Sequence, residues 1–136
     1  MKHMADIKCA ALVYIKDEQL LLVKVRELEK YYLPGGKIED GEEPLAAVLR
    51  EVQEELNVEL EQDKVHYLGC VEGPAYPQNA TVSLECFTYK GSLAQAVEHN
   101  EITGLRYFDL AHSEMIAPAV LVLIDKLNSQ ELIYEK

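Results

Sequence analysis

Residues 35–60 read "GGKIEDGEEPLAAVLREVQEELNVEL", and the pattern in this stretch decides the fold. From Pro44 onward, Leu45, Val48, Leu49, Val52 and Leu56 recur three and four positions apart, the stripe of an amphipathic helix. At about 100° per residue the stripe fills a sector of roughly 80°, and Glu51, Glu54 and Glu55 fall on the opposite side. Pro44 suits the first helical position. Ahead of it, Gly35 and Gly36 allow close backbone approach, and Asp40-Gly41 reads as a turn.

Three carboxylates crowded onto one helix repel, and each disfavours ionisation of the others unless a cation neutralises them. A hard divalent ion such as Mg²⁺ takes oxygen ligands and keeps positions for water and substrate phosphates. A merely solvated face is the ordinary fate of such glutamates. The glycine loop immediately upstream is what favours a bound cation.

On either side of the helix the pattern is that of strands. Ile7 to Ile15 ("IKCAALVYI") reads as a buried strand, "KDEQ" as its turn and Leu20 to Val25 as its hairpin partner. "RELEKYY" reads as a polar loop and "YLPGG" as a short extended piece. Val65 to Glu72 and Thr81 to Lys90 read as two more strands around the Pro-rich loop "GPAYPQN". Leu105 to Leu110 is a further strand candidate, and Ile116 to Asn128 a closing helix. With no repeat and no linker, residues 1–136 read as one mixed α and β domain around a single core.

A formal charge of −11 argues against duplex nucleic acid and anionic membranes as partners, since both need basic surface. Cys9, Cys70 and Cys86 have no metal-binding or paired spacing and fit buried thiols in a reducing compartment. The amino terminus lacks an apolar core of signal length, and Met115 to Leu127 is interrupted and too short to span a bilayer. A soluble cytoplasmic protein is the expectation.

Gly36, five residues, Glu42, seven residues, then "REVQEELNV" resembles the Nudix box, the signature of the Nudix hydrolase superfamily of MutT-like proteins. Gly36, Glu42, Arg50, Glu51, Val52, Glu54, Glu55 and Val58 all match that box, and the resemblance extends over nearly the whole chain. Asn57 stands where the pattern has glycine. It ends the helix, and Asn tolerates the left-handed conformation better than other non-glycine residues.

The resemblance implies an α/β/α sandwich with a mixed central sheet, and hydrolysis of a nucleoside diphosphate linked to another group. Such substrates include nucleoside triphosphates and ADP-ribose. It implies Mg²⁺ as cofactor, with Mn²⁺ as a substitute. Glu51 and Glu55 would be the main metal ligands, Glu54 would assist and the Gly35 carbonyl would complete the shell. Arg50 would orient a glutamate through a paired hydrogen bond, and Glu42 would brace the loop. The general base is a box glutamate or a carboxylate of the later "VEHNEITGL" loop, where Glu101 is preferred over Glu98.

Lys37 stands beside the glycine loop, suited to phosphate. Tyr76 could stack a base, as could Tyr31, Tyr32 or Phe87, although core packing is the default for any one of them. His3, His66, His99 and His112 show no ligand spacing and read as surface or structural residues. Pro74 and Tyr76 resemble the markers of ADP-ribose pyrophosphatases and dinucleoside polyphosphate hydrolases respectively. Lying in one loop, they do not choose between the two. A nucleotide-sensing Nudix domain of weak activity is the alternative, disfavoured because the box carboxylates are all present. A calcium-binding loop lacks its ligand order. A homodimer is compatible with everything above.

Overall fold

The computed structural model describes residues 6–77 and 79–135. Its elements are β1 (Ile7–Val13), β2 (Ile15–Lys16), β3 (Gln19–Val25), β4 (Gly35–Lys37), α1 (Pro44–Leu56), a 3₁₀ turn (Gln62–Lys64), β5 (Val65–Pro74), β6 (Thr81–Tyr89), β7 (Ile102–Asp109) and α2 (Pro118–Asn128). They form the expected mixed α/β/α sandwich, with its strands divided between two sheets, β4-β1-β6-β5 and β2-β3-β7.

The layers follow from the sequence pattern. Ala10 and Leu12 of β1 face the cluster containing Ala47, Val48, Val52 and Leu56 of α1. Ala11 and Val13 face the cluster containing Val120, Leu123 and Ile124 of α2. A strand covered on both sides must be apolar at every position, so "CAALV" is a continuous run rather than an alternation. The same division holds in β3, where Leu21 and Val23 face one cluster and Leu20 and Leu22 the other.

One expectation is corrected by this arrangement. Leu20 to Val25 is not the hairpin partner of the whole first strand. Only Ile15–Lys16 pairs with Leu20 and Gln19. Ile7–Val13 lies between β6, to which it is parallel, and β4. A strand buried on both faces gains most at the centre of a sheet, and the β4–α1–β5 route is long enough to return the chain parallel. The "KDEQ" turn does form, with Asp17 and Glu18 both at positive φ (52° and 64°), as a tight hairpin turn requires. β7 begins at Ile102, earlier than Leu105, and α2 begins at Pro118, later than Ile116.

The segment from Tyr31 to Lys37 straddles the two sheets. Tyr32 exchanges backbone hydrogen bonds with Val23 of β3, Leu12 of β1 donates to the Pro34 carbonyl, and β4 then pairs with β1. Cys86 is buried and Cys9 half-buried, but Cys70 is exposed beside Ser83, contrary to the expectation of three buried thiols. No helix is long and apolar enough to cross a membrane among the described residues.

Candidate active site

Two glycines set the geometry of the site. Gly35 has φ +145°, and a Cβ there would run into the Ala10 carbonyl and the Ala11 Cα, so only glycine lets β4 lie this close to β1. A Cβ on Gly36 would occupy the space taken by the Glu51 carboxylate. The loop therefore closes over α1 because it has no side chains at these two positions. With that approach made, the Gly35 amide donates to Glu55 Oε1 at 2.8 Å.

Arg50 ties the same loop to the helix. Its Nε and Nη2 donate to the two oxygens of Glu42, each at 2.9 Å, while Nη1 reaches Glu51 Oε1 at 3.1 Å and Nη2 the Lys37 carbonyl at 3.1 Å. The fork thus falls on Glu42, and Glu51 receives a single bond. Glu42 also accepts from the Glu39 amide at 3.0 Å. The Arg50 hydrogen bonds hold the Glu42 carboxyl down at about 2.

The carboxylate cluster is not one open face. The Glu51 side chain is 17% exposed and that of Glu54 53%. Burial pushes Glu51 up to about 7, aided by its hydrogen-bonding contact with Glu54 and opposed by the Arg50 charge. Burial likewise pushes Glu55 up to about 8, opposed by the Gly35 amide and aided by the charges of Glu51 and Glu54. Both are desolvated acids, Glu55 more deeply than Glu51, with too little positive charge beside them. The helix makes matters worse, because Glu54 and Glu55 sit in its last turn, where the backbone dipole disfavours anions and no basic residue is present.

Relief for that last turn comes from the "VEHNEITGL" loop. The Val97 amide donates to the Leu56 carbonyl and the His99 amide to that of Glu55, both at 3.1 Å. The His99 ring (Nδ1, 2.9 Å) and the Asn100 side-chain amide (2.8 Å) both meet the Glu54 carbonyl. Asn57 ends α1 at φ 55°, ψ 39°, the expected left-handed conformation. Asn100 carried no signal in the sequence beyond being a polar residue ahead of a strand. Glu101 follows directly and is exposed; its carbonyl accepts from the Arg26 amide at 2.8 Å. The structure thus brings its loop to the helix end.

The other candidates separate. Lys37 is exposed at the end of β4. Tyr31 stacks edge-on with Phe108 (4.9 Å between ring centres) and Phe87 with Tyr67 (5.5 Å), so both pack against protein. Tyr32 and Tyr76 instead line a cavity of about 170 Å³, whose lining also includes Gly35, Gly36 and Glu55. His112 pairs with Asp125 at 2.8 Å, far along α2, and His66 is exposed on β5. His3 lies outside the described residues.

The donor set of Glu51, Glu54 and Glu55 is all oxygen, which suits a hard divalent cation. Among the described residues no three His, Cys, Asp or Glu side chains are already closed into a metal cage. One oxygen each of Glu51 and Glu55 is turned to Arg50 and Gly35, while Glu54 contacts Glu51 and lies 3.6 Å from Arg50 Nη1.

A family model described as the NUDIX domain matches residues 7–125. Among solved structures, the chain is similar to a MutT NUDIX hydrolase from Burkholderia pseudomallei, with 20% identity, a TM-score of 0.73, and coverage of 89% of this chain and 97% of that one. It is also similar to a MutT protein from Methanosarcina mazei Go1 (18% identity, TM-score 0.74, coverage 92% and 94%). A bifunctional NMN adenylyltransferase/ADP ribose pyrophosphatase from Francisella tularensis, complexed with AMP and a Mn ion, aligns over 96% of this chain and 43% of its own, with 16% identity and a TM-score of 0.71. No curated protein matches.

Proposed function

The chain belongs to the NUDIX family, and from that premise we propose that it is a pyrophosphohydrolase acting on a nucleoside diphosphate linked to another group. The observation that carries this reading is the desolvated pair Glu51 and Glu55, held between α1 and a loop that only glycines allow to close. Such a pair is unfavourable in the free protein and becomes favourable beside a cation.

Glu51, Glu54 and Glu55 would hold Mg²⁺, or Mn²⁺ in its place, with the Gly35 carbonyl as a further oxygen. When bound, the ion neutralises phosphate oxygens and lowers the pKa of the attacking water. The protein supplies the rest. Arg50 fixes the Glu51 carboxylate by the 3.1 Å bond and is itself fixed by Glu42, so the ligand does not need to be ordered during the reaction. Water attacks phosphorus, the bond from phosphorus to the bridging oxygen breaks, and the water proton passes to a carboxylate. Glu51, one helical turn before Glu55, is placed to ligate the same ion or to take that proton. Glu101 is the outside contributor, with its loop anchored on the Glu54 and Glu55 carbonyls. Lys37 and Tyr76 meet phosphate and base respectively. The reading treats residues 1–136 as one catalytic unit.

Hydrolysis of nucleotides in ¹⁸O-water with Mg²⁺ tests the reaction. Label is expected in a phosphate-containing product, and turnover should vanish with a chelator. Label on a sugar carbon would mean glycosidic cleavage and would overturn the reading.

A further inference from the structure

The three carboxylates of α1 are not tethered alike. Glu51 is held through its side chain by Arg50 Nη1 at 3.1 Å, and Glu55 through its side chain by the Gly35 amide at 2.8 Å. The Glu54 side chain is 53% exposed and lies 3.6 Å from Arg50 Nη1, too far for a hydrogen bond. Its other neighbour is Glu51, a like charge. What is fixed at Glu54 is the main chain.

A helix end leaves its last four carbonyls without partners inside the helix, here those of Gln53, Glu54, Glu55 and Leu56. The Asn57 amide takes the first at 3.0 Å, and the His99 and Val97 amides take the third and fourth at 3.1 Å. The Glu54 carbonyl instead meets two side chains, His99 Nδ1 at 2.9 Å and Asn100 Nδ2 at 2.8 Å. A carbonyl only accepts, so His99 Nδ1 carries a hydrogen in this contact. Asn100 sits at φ 54°, a conformation that Asn tolerates.

Both bonds are exposed, and water there satisfies a carbonyl nearly as well. Two donors on one such oxygen add little stability. What they add is direction. They fix the peptide plane between Glu54 and Glu55, and their positive ends offset the negative end of the helix dipole beside both carboxylates.

We propose that His99 and Asn100 are positioning residues, which hold Glu54 for the cation through its main chain as Arg50 holds Glu51 through its side chain. The inference rests on the hydrolase reading. It gives the Val97–Asn100 segment a part in metal binding that uses no carboxylate of the loop.

The test is Mn²⁺ binding to the substrate-free protein, followed by the electron paramagnetic resonance signal of the free ion. Asn100→Gly removes one donor and keeps the positive φ, and His99→Leu removes the other. His99→Asn keeps a nitrogen donor the same number of bonds from the backbone. Partners that orient metal ligands change affinity by roughly 10–100-fold, and an effect through the main chain belongs at the lower end. Mn²⁺ should therefore bind about tenfold more weakly to Asn100→Gly and to His99→Leu, and His99→Asn should recover most of the loss. In nucleotide hydrolysis, half-saturation by Mg²⁺ should rise by the same factor, with KM for the nucleotide held at saturating Mg²⁺. The control is Asn128→Ala on α2, which removes a like bond to the Leu110 carbonyl at 3.0 Å. It should lower Tm comparably and leave Mn²⁺ affinity unchanged. Unchanged affinity in Asn100→Gly or His99→Leu, or an equal loss in Asn128→Ala, would make the pair a helix cap and overturn the proposal, with the hydrolase reading intact. No Mn²⁺ binding by the wild type would also overturn it, and no nucleotide turnover as well would overturn both.

Discussion

α1 and α2 cover opposite faces of the same sandwich and are built alike. Each begins with proline in its first turn, has no side-chain cap at its N-terminus, and buries four residues. Their charges differ. On α2, Asp125 meets His112 at 2.8 Å and Lys126 meets Glu131 at 2.9 Å, with both carboxylates more than half exposed, and Lys126 complements the dipole in the last turn. On α1 the last turn holds two glutamates and no base, and Glu51 and Glu55 are kept from water by the β4 loop. One helix obeys the rules for stable surfaces and the other breaks them at a single patch. Where a fold consistent elsewhere breaks a local rule, a site is the first explanation to test.

The largest effect should come from removing charge on the two helices in turn. Glu51→Gln, Glu54→Gln or Glu55→Gln should lower kcat by roughly 10²–10⁴ without unfolding the protein, whereas Asp125→Asn on α2 should leave it within about twofold. Steady-state assays at saturating Mg²⁺ decide this. Near-normal turnover in any of the three α1 variants would remove that residue from the site.

Next comes the pH dependence of stability, where the two ends of the α1 site run in opposite directions. Glu55 has a folded value of about 8 against an ordinary 4.5. The folded state therefore binds its proton more tightly, and the stability it contributes is full below about 4.5 and lost as pH rises through about 8. Glu42, at about 2, contributes stability above 4.5 that is lost as pH falls through about 2. Metal-free melts should thus show Tm falling from about pH 5 to 8 as stability is lost, on the order of a few kcal/mol of it from Glu55. Glu55→Gln or added Mg²⁺ should flatten that fall, while Asp125→Asn should leave it in place. A Tm that is level or rises over this range would refute the desolvation of Glu55.

The smallest effect distinguishes the helix ends. Asn57→Gly relieves a left-handed residue at the end of α1 and should stabilise by up to about 1 kcal/mol in denaturant titration. Ser129→Gly, at φ −85° after α2, should instead cost about 0.5–1 kcal/mol. Equal signs would mean that the two ends do not differ as described.

Much of this was legible without coordinates, and the rest was not for identifiable reasons. The α1 stripe announced itself because helical period and burial coincide at Val48, Val52 and Leu56, although fully buried Ala47 escaped notice as too small to mark a stripe. The carboxylates could be placed opposite the stripe, but their desolvation depends on Gly36 lying against Glu51, a contact between elements that no periodicity encodes. β1 could be recognised as a buried strand, yet its neighbours could not, because a run apolar on both faces carries no register. The Asn100 and His99 bonds to the Glu54 carbonyl join residues 46 and 45 positions apart, beyond the reach of local pattern.

The parallel pairing of β1 with β6 also bears on how the chain is made. Asp6 and Thr81 exchange hydrogen bonds across 75 positions, and the register then runs from Ile7 opposite Val82 to Val13 opposite Thr88. β1 leaves the ribosome ahead of β6, its central neighbour, which follows 75 positions later. Closing so long a loop before any pairing rewards it slows folding. Through that interval "CAALV" has only the short β4 to pair with and its other edge stays open, a β-prone segment of the kind that chaperones bind and that aggregates when they are scarce. Yield during synthesis should therefore depend on holdase capacity more steeply than the stability of the finished protein would suggest.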